Sequence, residues 1–144
     1  MNEIRGVTDS ITFAMDRVSS EYKTMANAKL RARLGVSIEE LGALIALSSL
    51  GEINQQQLAD SLLRNRSSTK RLVDNCVQKA LINRSNSSSN LKNVMLSLTE
   101  DGQLAVQTGN DIMRDIKDDL YQNITEHEMK IVRKVCEKML IKMR

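Results

Sequence analysis

The amino-acid sequence predicts a mainly α protein with a small β-hairpin. Three observations carry that reading. The 144 residues contain no proline and only six glycines, the residue types that interrupt helices. Apolar side chains recur at spacings of three and four over most of the chain, with helix-capping residues ahead of several runs. A polar Ser/Asn stretch at 85–90 separates two short segments with strand-like alternation.

The elements follow in order. Ile4, Val7, Ile11, Met15, Val18, Tyr22, Met25 and Leu30 make one long amphipathic helix from about 4 to 34, whose stripe must be buried against something. Ser37 with Glu40 is a capping box, Leu41, Leu44, Ile45 and Leu47 form the buried face behind it, and Gly51 is the stop. "INQQQLADSLL" is a short third helix, capped by Asn54 with Gln57 and facing inward through Leu58, Ala59 and Leu62. A fourth starts near Ser67, which is expected to cap it, and runs to about Ala80 with Leu72, Val73, Cys76 and Val77 at helical spacing. "LINR" and "NVMLSL" flank the polar stretch as a hairpin, the alternation clearest at Val94, Leu96 and Leu98. Thr99 caps a fifth helix bearing Leu104, Val106, Ile112, Met113, Ile116 and Leu120. Thr125 and Glu128 cap a sixth, with Met129, Ile131, Val132, Val135, Cys136, Met139 and Leu140 as its apolar face.

Composition removes several classes of activity. Aromatic residues are 2% of the chain (Phe13, Tyr22 and Tyr121), too few for a protein that stacks single-stranded bases. Cys76 and Cys136 are far apart and flanked by apolar residues, so free thiols in a reducing cytoplasm are expected, both buried and inert. The start "MNEIRGVTDS" has no secretory character, and no apolar run is long enough for a membrane span. His127 is the sole histidine and is expected to be solvated; no metal-ligand spacing, phosphate loop or nucleophile–base pair occurs, so no metal, no cofactor and no enzyme activity are expected.

Charge is unevenly distributed. Residues 53–98 hold seven Lys/Arg (Arg64, Arg66, Lys70, Arg71, Lys79, Arg84, Lys92) against Asp60 and Asp74, whereas the flanking thirds are each slightly acidic. This excess is either a solvated basic face or a polyanion-binding surface. Pattern moves the balance: two short helices joined by a tight turn, the second basic at its front and followed by a hairpin, have the organisation of a helix-turn-helix with a wing.

At that point the sequence resembles the MarR (multiple antibiotic resistance regulator) family. The resemblance rests on Gln55, Leu58 and Ala59, then Arg66 and Ser67, then Arg71, Leu72, Val73 and Asp74, then Leu81, Ile82 and Arg84, and on "LSLTEDG" at 96–102, at the family's spacing. It implies a winged helix-turn-helix at 37–102, an N-terminal dimerisation helix at 1–36 and C-terminal dimerisation helices at 103–144. It also implies a homodimer that regulates transcription by reading a pseudo-palindromic site in double-stranded DNA. Ser67, Ser68, Thr69, Lys70 and Arg71 would form the reading front of the recognition helix, with Arg64, Asn65 and Arg66 anchoring backbone ahead of it. The competing reading is that Ser67 only caps and the cations are solvated, or that Arg66 or Arg71 braces Asp74. In the wing, Asn90, Leu91 and Lys92 stand where the family carries Asp-x-Arg or Asp-Arg-Arg; Asn90 and Lys92 are the candidate DNA contacts there. Lys lacks the planar fork of Arg. Ala80 stands where the family often has Gly. A small-molecule effector is compatible with the family, but no residue identifies one. The alternative role, a winged helix that docks other proteins, does not require positive charge confined to this segment.

Overall fold

The computed structural model describes residues 9–86 and 94–144. Six helices and a three-stranded sheet follow one another: α1 (Ile11–Leu34), α2 (Ile38–Leu50), β1 (Ile53–Asn54), α3 (Gln55–Leu62), α4 (Arg66–Gln78), β2 (Ile82–Asn86), β3 (Val94–Leu98), α5 (Glu100–Leu120) and α6 (Glu126–Met143). The hairpin is present, with Ile82 opposite Leu98 and Asn86 opposite Val94. A third strand was not expected. Ile53 and Asn54 pair antiparallel with Leu96 and Met95, giving the order β1-β3-β2. Two residues are too few to show alternation, and β1 exists because β3 offers it a free edge.

Capping chemistry places most helix starts where the residue types predict. Ser37–Glu40, Asn54–Gln57 and Thr125–Glu128 each form a reciprocal capping box. The Thr99 hydroxyl accepts from the Gly102 amide (2.9 Å) and donates to the Ala80 carbonyl (2.7 Å), joining the start of α5 to the exit of α4. The approach is close: a Cβ on Gly102 would sit 2.2 Å from the Leu81 carbonyl oxygen.

The chain divides into two compact units after Ile112. In the first, α2, α3 and α4 pack on one another and α4 packs on β2. Leu30, Val36, Leu41, Leu44, Leu58, Val73, Cys76, Ile82 and Leu96 are essentially solvent-free. Several expected core positions lie elsewhere: Ile45, Leu104 and Leu120 are exposed, and Leu62 is half-buried. Val106, Ile112 and Ile116 are buried on α5 as expected, and Ala105 joins them. Only the second half of α1 is packed, at Ala26 and Leu30; Ile11 and Val18 are exposed, and Ile4 and Val7 lie outside the described residues. The second unit holds the end of α5 and all of α6, which has no buried residue within the single chain. No helix among the described residues is long and apolar enough to cross a membrane.

A polar node stands inside the first unit. Glu40, 5% exposed, accepts the Ser37 amide (2.8 Å) and the Lys79 ammonium (3.0 Å to each oxygen). Lys79 also donates to the Gly35 carbonyl (2.8 Å), at the end of α1. Burial acts to raise the Glu40 pKa, but the Ser37 amide and the Lys79 ammonium outweigh it and hold the carboxyl below its ordinary value.

Among the described residues, two non-glycine positions occupy left-handed backbone: Leu63 (φ 54) at the end of α3 and Ala80 (φ 60) just beyond α4. Ala80 therefore sits where a glycine would be free of strain, which is the physical reason a glycine suits that site.

Leu63→Gly and Ala80→Gly should each stabilise the protein by about 0.5–1 kcal/mol, the left-handed strain relieved less the entropy glycine adds to the unfolded chain; a urea midpoint that falls would refute this. Glu40 has its folded-state pKa depressed, so its stabilisation is present above the unfolded value near 4.5 and disappears as pH falls through the lower folded value. Stability should hold from pH 7 to 5 and drop below about 4.5. Glu40→Gln should cost about 1–3 kcal/mol at neutral pH and flatten that acid limb, as read by denaturation midpoints across pH.

Candidate nucleic-acid interface

The start of α4 differs by one turn of logic from the expected arrangement. The cap is Asn65, not Ser67: its Oδ1 accepts the Ser68 amide (2.9 Å), and its extended backbone (φ −77, ψ 167) is that of a residue just outside a helix. Ser67 is the second helical residue, is exposed, and keeps its hydroxyl outside the capping scheme. Arg66 likewise belongs to the helix rather than to the turn. The amides of Arg66 and Ser67 have no intrahelical acceptor and carry the positive end of the helix dipole.

Thr69 requires a correction. It is fully buried, and its hydroxyl donates to the Asn65 carbonyl (2.8 Å). It braces the first turn from the inside and cannot reach a duplex. Helical periodicity contains the signal: Thr69 precedes Leu72, Val73 and Cys76 by three, four and seven residues, which puts it on the same face.

The opposite face of α4 is solvent-accessible and presents Ser67, Lys70, Arg71, Asn75 and Gln78, with Asp74 half-buried among them. Arg71 is exposed and forms no ion pair with any described residue. The competing reading, in which Arg66 or Arg71 braces Asp74, does not hold, because other cations occupy that carboxylate. Lys70 Nζ lies 2.7 Å from one Asp74 oxygen, and Arg84 on β2 donates to the other. The hydrogen bonds from Lys70 and Arg84 hold the Asp74 carboxyl below its ordinary pKa. Arg66 donates instead to the Gln56 side chain on α3 (2.8 Å), and Arg64 to the Ser68 hydroxyl (3.4 Å). Asn75 and Gln78 were missed because they carry no charge, although their position on the Ser67–Arg71 face follows from the same period.

The start of α3, the outer side of α4 and the two hairpin strands enclose a groove of about 410 Å3, lined by Asn54, Gln55, Gln56, Arg66, Lys70, Asp74, Arg84, Val94 and Leu96. The expected wing contacts, Asn90 and Lys92, lie outside the described residues. Of the seven cations in the middle third, Lys79 is turned inward to Glu40, so the outward excess is smaller than the sequence count. Cys76 is buried on the inner face, and desolvation pushes its thiol up to about 12, well away from thiolate reactivity at neutral pH. Cys136 is half-buried rather than buried. Among the described residues, no cluster of three or more His, Cys, Asp or Glu could hold a metal ion.

This architecture is shared with solved proteins. A DNA complex of MepR from S. aureus has 21% identity, with 94% of this chain and 97% of that chain covered and a TM-score of 0.80. A cysteine mutant of MarR from E. coli, bound to operator DNA, has 18% identity, coverage of 95% and 99%, and a TM-score of 0.81. A MarR family transcriptional regulator from Silicibacter pomeroyi has 22% identity, coverage of 96% and 93%, and a TM-score of 0.73. No curated protein sequence matches this chain significantly. The MarR family model matches residues 23–94, half of the chain, from the packed part of α1 through the helix-turn-helix to the first residue of β3. Carrying that match together with the winged helix-turn-helix architecture, the chain belongs to the MarR family.

Proposed function

We propose that this protein is a homodimeric, sequence-specific regulator of transcription that places α4 in the major groove of double-stranded DNA. The carrying observation is the exposed front of α4. Ser67, Lys70 and Arg71 project from it, two unsatisfied amides stand at its tip, and Arg64, Asn65 and Arg66 adjoin its turn. Small side chains at Ser67 and Ser68 let that end approach a duplex closely. Arg71, uncommitted to any described acid, has the fork needed for guanine O6 and N7. Arg64 and Arg66, held by Ser68 and Gln56, suit phosphate contact. Asn90 and Lys92 complete the interface from the wing. Thr69 is excluded by its burial.

A single winged helix offers few base contacts, and a two-fold dimer reads two half-sites about one helical turn apart. Apolar side chains remain exposed on α1 (Ile11 and Val18) and, separately, on α6 (Ile131, Val132, Leu140 and Ile141), and each helix offers apolar area to a second copy. Residues 1–36 and 103–144 thus serve dimerisation and 37–102 serve DNA binding. The two free thiols fit a cytoplasmic setting. Regulators of this family act by binding rather than by catalysis, and no catalytic residue is assigned.

Three measurements test the proposal. Affinity for operator DNA in a mobility-shift titration should fall on the order of a thousandfold between low and moderate salt, because several phosphates are neutralised. Arg71→Ala should cost about 1–3 kcal/mol and relax one base position; a flat salt response sinks DNA binding, and an equal loss on every sequence makes Arg71 a phosphate contact. Sedimentation at micromolar concentration should give a dimer, and a monomer would refute the role given to α1 and α6.

A further inference from the structure

Asp74 is the only acidic residue of α4, and it lies on the face that the proposed function turns toward DNA. A carboxylate there opposes phosphate. Each of its oxygens is occupied by a different cation: Lys70, one turn back on the same helix (2.7 Å), and Arg84, on the first strand of the hairpin. Neither pair is buried, with side-chain exposures of 65% for Lys70, 37% for Arg84 and 39% for Asp74. Exposed pairs of this kind are weak and open easily. The Lys-before-Asp order within a helix is also the less favourable one. As stabilising contacts they therefore contribute little, yet they occupy one cation of the proposed reading front, Lys70, and one on the adjoining strand, Arg84.

We propose that Asp74 is a specificity-setting residue of the DNA interface, which holds Lys70 and Arg84 on its two oxygens and so keeps them from gripping phosphate on arbitrary sequence. The inference rests on the DNA-binding reading above. On non-specific duplex, affinity comes almost wholly from phosphate contacts. Each grip by Lys70 or Arg84 must first release a cation from Asp74 and then leave that carboxylate facing the backbone. Arg71, with no such partner, is spared this cost and remains available for base edges. Discrimination is thus raised by weakening the wrong complexes rather than by adding a contact to the right one.

The test titrates the full-length protein into a short duplex of arbitrary sequence over a salt series. Asp74→Asn should bind on the order of tenfold more tightly at low salt, with a log–log salt slope steeper by about 0.9 for each phosphate newly gripped. Asp74→Glu, which keeps the charge, should restore wild-type behaviour. Lys70→Gln should cost more affinity in the Asp74→Asn background than in the wild type. Comparing Asp74→Asn/Arg84→Gln with Arg84→Gln repeats the measurement without an uncompensated guanidinium, should the single variant fold poorly by circular dichroism. A residue that merely braces the wing would change stability and leave the slope alone. Equal affinity and equal slope for wild type and Asp74→Asn overturn this role while leaving DNA binding intact. Failure of both proteins to bind any duplex overturns the DNA reading and this inference with it.

Discussion

The Glu40 carboxylate joins three helices at one point. It completes the capping box of α2 through Ser37 and receives the Lys79 ammonium from the end of α4, and the same ammonium reaches the Gly35 carbonyl at the end of α1. An ion pair buried only on its carboxylate side is weak evidence of net stability, because desolvation of Glu40 opposes the attraction. Its effect is positional: once Glu40 is buried, leaving it unpaired costs more than holding Lys79 in place. The C-terminal end of α4 is thereby fixed to the interior of the first unit, and the N-terminal end is the one left to project.

A helix held at one end needs an inner face that prevents it from rolling. Thr69, Leu72, Val73 and Cys76 supply that face and are all at least 93% buried. Thr69 matters for a second reason. A buried hydroxyl must find an acceptor, and the Asn65 carbonyl is that acceptor. Asn65 thus gathers the first turn from both sides, its side chain capping the Ser68 amide and its carbonyl receiving Ser68 and Thr69. The N-terminal end of α4 is held by hydrogen bonds within the turn itself, which leaves the exposed side chains of Ser67 and Arg71 outside that scheme.

The basic residues of the middle third have unlike fates. Lys79 is structural, Arg66 bridges to Gln56 on the neighbouring helix, and Lys70 and Arg84 share Asp74, whereas Arg71 meets no described acid. Net charge steers a polyanion toward the surface, but the partner each cation has already accepted governs what it can do on arrival. Lys and Arg differ accordingly: the compact ammonium of Lys79 sits between one carboxylate and one carbonyl, while the planar guanidinium suits the sideways reach of Arg84 from a strand to a helix.

Helix order, the three capping boxes, the hairpin and the basic segment were legible in the residues, because periodicity, capping and turn chemistry act over a few neighbours along the chain. The likeness to the MarR family was legible for the same reason, since its motif from Gln55 to Gly102 is local. Some of the rest depended on distance in sequence. The two-residue β1 exists only beside β3, the partners of Asp74 come from one helical turn away and from a separate strand, and Lys79 turns inward because Glu40 lies 39 residues earlier in the chain. The choice of Asn65 over Ser67 as the cap was close in sequence yet undecidable there, since both residue types cap well; the buried position of Thr69 sets the phase of the helix and so its start. Local chemistry thus determined which elements form and where their polar ends lie, and only tertiary packing decided which side chains those elements spend on each other and which they leave for DNA.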